Sequence, residues 1–121
     1  MSAAGDVVIW HNPRCSKSRR TLELIREAGF EPVVRLYLKD APDAAEIRTA
    51  LAALGFDDPR ALMRVCEPVY RAGGLGDIDE GEALVAAMAA DPVLIERPLV
   101  MRGERAAIGR PPEAVLTLLK G

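Results

Sequence analysis

The stretch from Val7 to Arg20 constrains this chain more than any other. An apolar run, Val7-Val8-Ile9-Trp10, stops at His11-Asn12-Pro13, and a cysteine follows just where a helical pattern begins. Four consecutive apolar residues bounded by a turn signal read as a short buried strand. From Ser16 onward Leu22, Ile25 and Ala28 recur at helical spacing, Arg19, Arg20, Glu23 and Arg26 take other faces, and Gly29 supplies the stop. Val33 to Leu38 reads as a second strand, reached by a short return connection, so the chain opens with a βαβ unit.

A helical block follows. Asp43 and Glu46 form a capping-box pair ahead of Ile47, Ala50, Leu51 and Leu54, and Gly55 ends that helix. Pro59 opens a short helix through Met63, and 67–72 forms another turn or two before the flexible stretch at 73–76. Asp79 is expected to cap a further helix carrying Ala83, Leu84, Ala87 and Met88 as its apolar stripe. Leu99–Met101 and Arg105–Ile108 flank a turn around Arg102-Gly103-Glu104 and predict an antiparallel hairpin. Pro111-Pro112 then starts a last helix with Val115, Leu116 and Leu119 inward. The order is β-α-β, a helical insertion over about 43–91, then β-β-α: an α/β chain with a mixed sheet. No repeat or linker argues for more than one domain over 1–121.

Composition narrows the chemistry. The 16 basic and 18 acidic residues provide no broad cationic field for nucleic acid, and 28% charged residues in a chain that is half apolar argue against disorder. His11 is the sole histidine, which excludes two-histidine mechanisms and His-rich metal sites. Cys15 and Cys66 are too far apart for a CxxC pair, and no metal site is indicated. Met1–Asp6 carries no basic leader region and nothing approaches a membrane span, so a cytoplasmic protein with reduced thiols is expected.

A reactive thiol is therefore the central functional question, and Cys15 is the candidate. A helix start favours negative charge through its free amides and dipole, and Arg14, Lys17, Arg19 and Arg20 surround the residue, so its thiol pKa is expected to fall. A protonated His11 would add to that effect, and the Ser18 hydroxyl is placed to donate a hydrogen bond to the sulfur. The bland alternatives are an inert core cysteine at 15, a backbone-satisfied loop imidazole at 11 and a local helix-start serine at 18. Cys66 lacks such neighbours and reads as an ordinary small residue; it resolves Cys15 only if the fold brings their Cα atoms within about 7 Å. Arg14, Arg60, Arg97 and Arg110 each adjoin a proline, so they emerge from stiff main chain suited to clamping an oxyanion. Singly, each also reads as an ordinary surface arginine.

These motifs resemble the glutaredoxin-linked arsenate reductase family of ArsC type, especially its shorter members, over nearly the whole chain. The match runs through Ile9-Trp10-His11-Asn12-Pro13-Arg14-Cys15-Ser16-Lys17-Ser18-Arg19, Glu31-Pro32, Leu36-Tyr37-Leu38 and Arg60-Ala61-Leu62-Met63-Arg64. It continues in 94–100, Leu-Ile-Glu-Arg-Pro-Leu-Val, and 108–113, Ile-Gly-Arg-Pro-Pro-Glu. The resemblance implies a thioredoxin-like fold with a helical insertion and puts Pro98 where such folds keep a cis proline, the isomer itself being open from sequence. It implies Cys15 as nucleophile, His11 and Ser18 as stabilisers of its thiolate, and Arg60, Arg97 and Arg110 as the arsenate-binding trio. The implied reaction needs no bound cofactor: Cys15 attacks arsenate, glutathione forms a mixed arsenic–sulfur adduct and reduces it to arsenite, and glutaredoxin clears the mixed disulfide. A monomer with no nucleic-acid or membrane partner is expected. Two other functions keep the same thiol: a glutathione-linked oxidoreductase acting on another substrate, and a redox-responsive regulator that binds RNA polymerase. Ser18 stands where such regulators carry the second cysteine of a CxxC motif.

Overall fold

A computed structural model describes residues 7–119; the Met1–Asp6 segment and the terminal Lys120-Gly121 lie outside the described residues. The chain divides into two compact units, Met1–Asp40 with Arg97–Gly121, and Ala41–Glu96, within which the expected 43–91 insertion falls.

The first unit is built on a four-stranded mixed sheet in the order β2-β1-β3-β4: β1 is Val7–Trp10, β2 Val33–Arg35, β3 Leu99–Arg102 and β4 Arg105–Ile108. β1 pairs parallel to β2, with Ile9 opposite Val34, and antiparallel to β3, with Ile9 opposite Val100. The β3–β4 hairpin turns on Gly103-Glu104, and Gly103 adopts φ 61°, in the left-handed region glycine enters without a Cβ clash. Helix α1, Ser16–Glu27, crosses between β1 and β2. Its end is a Schellman motif: Gly29 at φ 96° donates to Arg26 O and Phe30 donates to Ile25 O. Phe30 thereby joins a core made by Val7, Ile9, Ile25, Val100, Val115 and Leu118. The two-residue period of β1 turns Trp10 to the opposite face from Ile9, where the Arg35 guanidinium lies 5.7 Å from its ring centroid.

Two expectations change here. β2 ends at Arg35 rather than Leu38 because the Lys39 and Asp40 amides both donate to Leu36 O, folding 36–40 into a turn that buries Tyr37 and leaves Leu36 and Leu38 outward. The last helix begins as a 3-10 turn over Pro112–Val115 before α5, Leu116–Leu119. Leu118, three residues after Val115, shares its face, so Leu118 is the core residue and Leu116 is only half-buried.

The second unit is helical. Helix α2, Ala44–Leu54, starts on the Asp43–Glu46 capping box with both reciprocal bonds present, and ends at Gly55 with φ 76°. It packs on α4, Gly81–Ala90, through buried Ile47, Ala50, Leu51, Leu84, Val85 and Met88. The α4 N-cap is Glu80, not Asp79. The backbone turns helical one residue later than Asp79 requires, and no side chain caps it. A 3-10 turn, Pro59–Leu62, and helix α3, Pro68–Ala72, fill the interval. The segment after the 3-10 turn is clipped to 94–96: Met63 bridges Ile95, Arg64 N–H donates to Leu94 O and Glu96 N–H to Leu62 O. Over that clip Arg64 pairs with Glu67 at 3.0 Å and Glu96 at 3.1 Å.

Candidate active site

β1 delivers the chain into a β-turn that ends on the thiol. Cys15 N–H donates to Asn12 O and Arg14 N–H to Asn12 Oδ1, each at 3.0 Å, with Pro13 at the second turn position where its fixed φ fits. Cys15 is the N-cap of α1, with φ −94° and ψ 121°, and Arg19 N–H returns to its carbonyl at 3.0 Å. The residue is partly exposed and its thiol is free.

Burial pushes the Cys15 thiol up, but the Ser18 amide, the Arg97 side chain and the Lys17 amide outweigh it, and the pKa is lowered. The sulfur makes no capping hydrogen bond of regular geometry, so these amides act as oriented dipoles at the helix start. From the far end of the chain, Arg110 brings Nη2 to 3.8 Å from Sγ while its Nε donates to Arg97 O at 2.8 Å. The first unit therefore gathers Cys15, Arg97 and Arg110, separated by more than eighty residues in sequence, around one sulfur.

Two of the neighbouring cations expected to lower this pKa are otherwise engaged, and none of the four side-chain charges is among its causes. Arg19 donates to Pro13 O at 2.8 Å, and Arg20 pairs with Glu23 and Glu27 at 2.9 and 3.5 Å. His11 is corrected too. Its ring is buried, and burial together with the charges of Arg26 and Arg19 lowers its pKa, which favours a neutral imidazole over a cation beside the sulfur. The Ser18 hydroxyl goes to His11 Nδ1 at 2.6 Å and accepts the Asn12 N–H at 3.1 Å; Ser18 acts on the sulfur through its amide.

Arg60 belongs to the second unit. Its Nη2 donates to Leu75 O at 3.2 Å and more closely to Ile78 O, while Asp58 caps its amide. Its Nε is buried without a hydrogen-bond partner among the described residues. The Arg97–Pro98 bond, left open from sequence, is cis; Arg110–Pro111 is also cis, which nothing in the sequence pattern flagged.

Sequence reasoning passed over two positions that shape the site. Asn12 builds the turn with both its side chain and its amide, and the Asn-Pro pair carried that signal. Gly109 carries none: a Cβ there would meet Thr21 Oγ1 at 2.5 Å and Pro98 Cγ at 2.7 Å, so only glycine lets Arg110 follow so close to α1. Among the described residues no cluster of three His, Cys, Asp or Glu side chains is arranged to hold a metal ion, and no helix is long and apolar enough to cross a membrane.

Residues 10–118 match the family model described as the ArsC family. The chain is 43% identical to the arsenate reductase of Haemophilus influenzae, over 93% of this chain and 98% of that one. It is 50% identical to the uncharacterized protein YfgD of Escherichia coli K12, over 93% and 96%. A solved arsenate reductase from Vibrio cholerae superimposes with a TM-score of 0.91 at 46% identity, covering 95% of this chain and 98% of that one.

Proposed function

The chain belongs to the ArsC family, with that family's thioredoxin-like fold, and from that premise we propose that it reduces arsenate to arsenite with glutathione and glutaredoxin as reductants. One observation carries the reading: a partly exposed thiol of lowered pKa, at a helix start, with Arg97 and Arg110 turned to its sulfur. A thiolate alone suits many redox reactions, but two guanidiniums beside it suit a tetrahedral oxyanion, whose oxygens take their N–H groups and the helix-start amides together.

In this scheme arsenate binds against Arg97 and Arg110, which neutralise charge that would otherwise repel the thiolate. Arg60 is added as a third oxyanion ligand on the strength of the family resemblance alone. Cys15 Sγ attacks arsenic; an As–S bond forms, an As–O bond breaks, and the oxygen leaves as water after taking up protons. Glutathione adds through a second As–S bond with loss of a second water. Both As–S bonds then break as one S–S bond forms, leaving an electron pair on arsenic, which becomes As(III) and is hydrated to arsenite. Cys15 remains in a mixed disulfide with glutathione, and thiol exchange with glutaredoxin frees it. His11 serves in its neutral form, holding the Ser18 hydroxyl and so the first turn of α1 whose amides face the sulfur. The reductants place the reaction in a reducing, cytoplasmic compartment.

The test is arsenate-dependent NADPH consumption coupled through glutathione, glutaredoxin and glutathione reductase. Wild-type protein is expected to turn over, and Cys15→Ser to lose turnover while keeping its circular dichroism and unfolding midpoint. Activity retained in Cys15→Ser refutes the mechanism; an inactive wild type that still exchanges disulfides at Cys15 refutes the substrate.

A further inference from the structure

Beside the thiol loop the first unit holds a groove of about 470 Å³, walled on one side by 11–14 and on the other by Leu36, Leu38 and Lys39. That volume lies in the range of small-molecule sites, roughly 300–1,000 Å³. The shortened β2 creates it: because the chain turns at Leu36 and buries Tyr37, Leu36 and Leu38 stand outward, 37% and 45% exposed, facing the loop that ends in Cys15. The groove's charges are of one sign. Arg14 and Lys39 line it, neither makes an ion pair among the described residues, and no carboxylate lines it. Asp40, the nearest acid in sequence, is drawn off to Arg35 at 3.5 Å.

We propose that this groove is the docking site of the reductant, an anionic thiol tripeptide of the size and charge of glutathione. This rests on the glutathione-linked reading above and adds where the second sulfur comes from. Glutathione carries two carboxylates and one ammonium around a short chain with methylene groups. Arg14 and Lys39 suit the carboxylates, and Leu36 and Leu38 suit the methylenes. Arg14 adjoins Cys15, so a peptide held there lies next to the residue that carries the thiol, and neither Arg97 nor Arg110, the oxyanion's ligands, lines the groove. Substrate and reductant then occupy the site together, as the two-sulfur adduct requires.

Two measurements test this without arsenate. In the first, 15N-labelled Cys15→Ser protein is titrated with S-methylglutathione, which has no thiol to react. Saturable shifts at the amides of residues 36–39 and 14 are expected. In the second, oxidised glutathione is presented to the wild-type protein: the Cys15 thiolate attacks one sulfur, forms the Cys15–glutathione disulfide and releases one glutathione thiolate. Lys39→Glu is expected to slow this exchange about three- to tenfold, the scale of reversing one exposed charge contact. Lys39→Arg is expected to match wild type, and the difference to collapse in 1 M salt. Exchange with neutral hydroxyethyl disulfide reports the thiol itself and is expected to be the same in all three proteins. Equal slowing with both disulfides, or an absence of shifts at 36–39, overturns the proposal. So does perturbation of 36–39 by glutaredoxin but not by S-methylglutathione, which would make the groove a protein-docking surface. If the groove binds but arsenate is not reduced, the substrate assignment falls and the groove stands.

Discussion

Gly109→Ala is the sharpest perturbation of this site that touches none of its reacting groups. The added methyl would lie 2.5 Å from Thr21 Oγ1, 3.1 Å from Thr21 Cγ2 and 2.7 Å from Pro98 Cγ. Ordinary contact needs about 3.5 Å, so the surroundings must open by roughly 1 Å. Neither neighbour yields easily. Thr21 is fully buried and its hydroxyl is tied to Lys17 O at 2.8 Å; Pro98 is buried, and its carbonyl accepts the Gly109 N–H at 2.9 Å. Overpacking of this kind costs about 1–3 kcal/mol, and the tethering on both sides argues for the upper half. The expected fall in Tm is roughly 4–12 °C. Displacement of residue 109 also carries Arg110 from the sulfur and disturbs its bond to Arg97 O; because Arg97 holds the Cys15 pKa down, that pKa should rise and the KM for the oxyanion increase. Urea unfolding gives the first effect, and the pH dependence of Cys15 alkylation gives the second. Thr21→Ala removes two of the three close contacts, so the double variant should be more stable than the sum of the single losses predicts. Wild-type unfolding and alkylation in Gly109→Ala would show that the packing around residue 109 has slack and that the argument is wrong.

Alkylation by iodoacetamide should show Cys15 titrating below an ordinary cysteine, and Arg97→Gln should move that titration upward, since Arg97 holds the pKa down both by hydrogen bonding and by charge; an unmoved profile would leave the amides as the whole cause. The lowered pKa of His11 makes a signed prediction. The unfolded chain binds the proton more readily, so the contribution of His11 to stability is complete above about pH 6.5 and is lost as pH falls through the lower folded-state value. Unfolding midpoints at pH 7.5 and 5.5 should therefore differ less in His11→Gln than in wild type, and equal differences would refute the neutral assignment. Arg60→Ala should destabilise the second unit by about 1–3 kcal/mol, because Leu75 O and Ile78 O lose charge-assisted donors, and should speed amide exchange over 75–78. Unchanged exchange there would mean that the guanidinium does not brace the turn.

The local parts of this structure were legible in the sequence because local rules make them. Val7–Trp10 as a strand, the stop at Gly29, the Asp43–Glu46 box and the Gly103 hairpin each follow from residues within a few positions of one another. Cys15 at a helix start belongs to the same class. What the sequence misassigned depends on chain brought from a distance. Arg19 and Arg20, close to Cys15 in sequence, pair elsewhere, while the helix-start amides and two arginines more than eighty residues downstream act on the sulfur. His11 reads as a possible cation until its burial and the proximity of Arg26 and Arg19 are known. The bonds of Arg60 to Leu75 and Ile78, fifteen and eighteen residues away, likewise left no local signal beside its reading as a clamp residue. β2 stops early for a turn whose hydrogen bonds leave no trace in hydrophobic patterning.

The order of strands also sets when the thiol becomes dangerous. β1, which leads to Cys15, is made well before its antiparallel partner β3 and the arginines that border the sulfur. A chain still emerging from synthesis, or one that has lost the β3–β4 hairpin, keeps helix-start amides but has neither guanidinium in place. Its cysteine is then closer to an ordinary thiol, less prone to oxidation or stray alkylation. Closure of the most sequence-distant contact in the sheet is therefore what brings the two guanidiniums to the sulfur, and the share of the lowered Cys15 pKa that Arg97 supplies arrives with it.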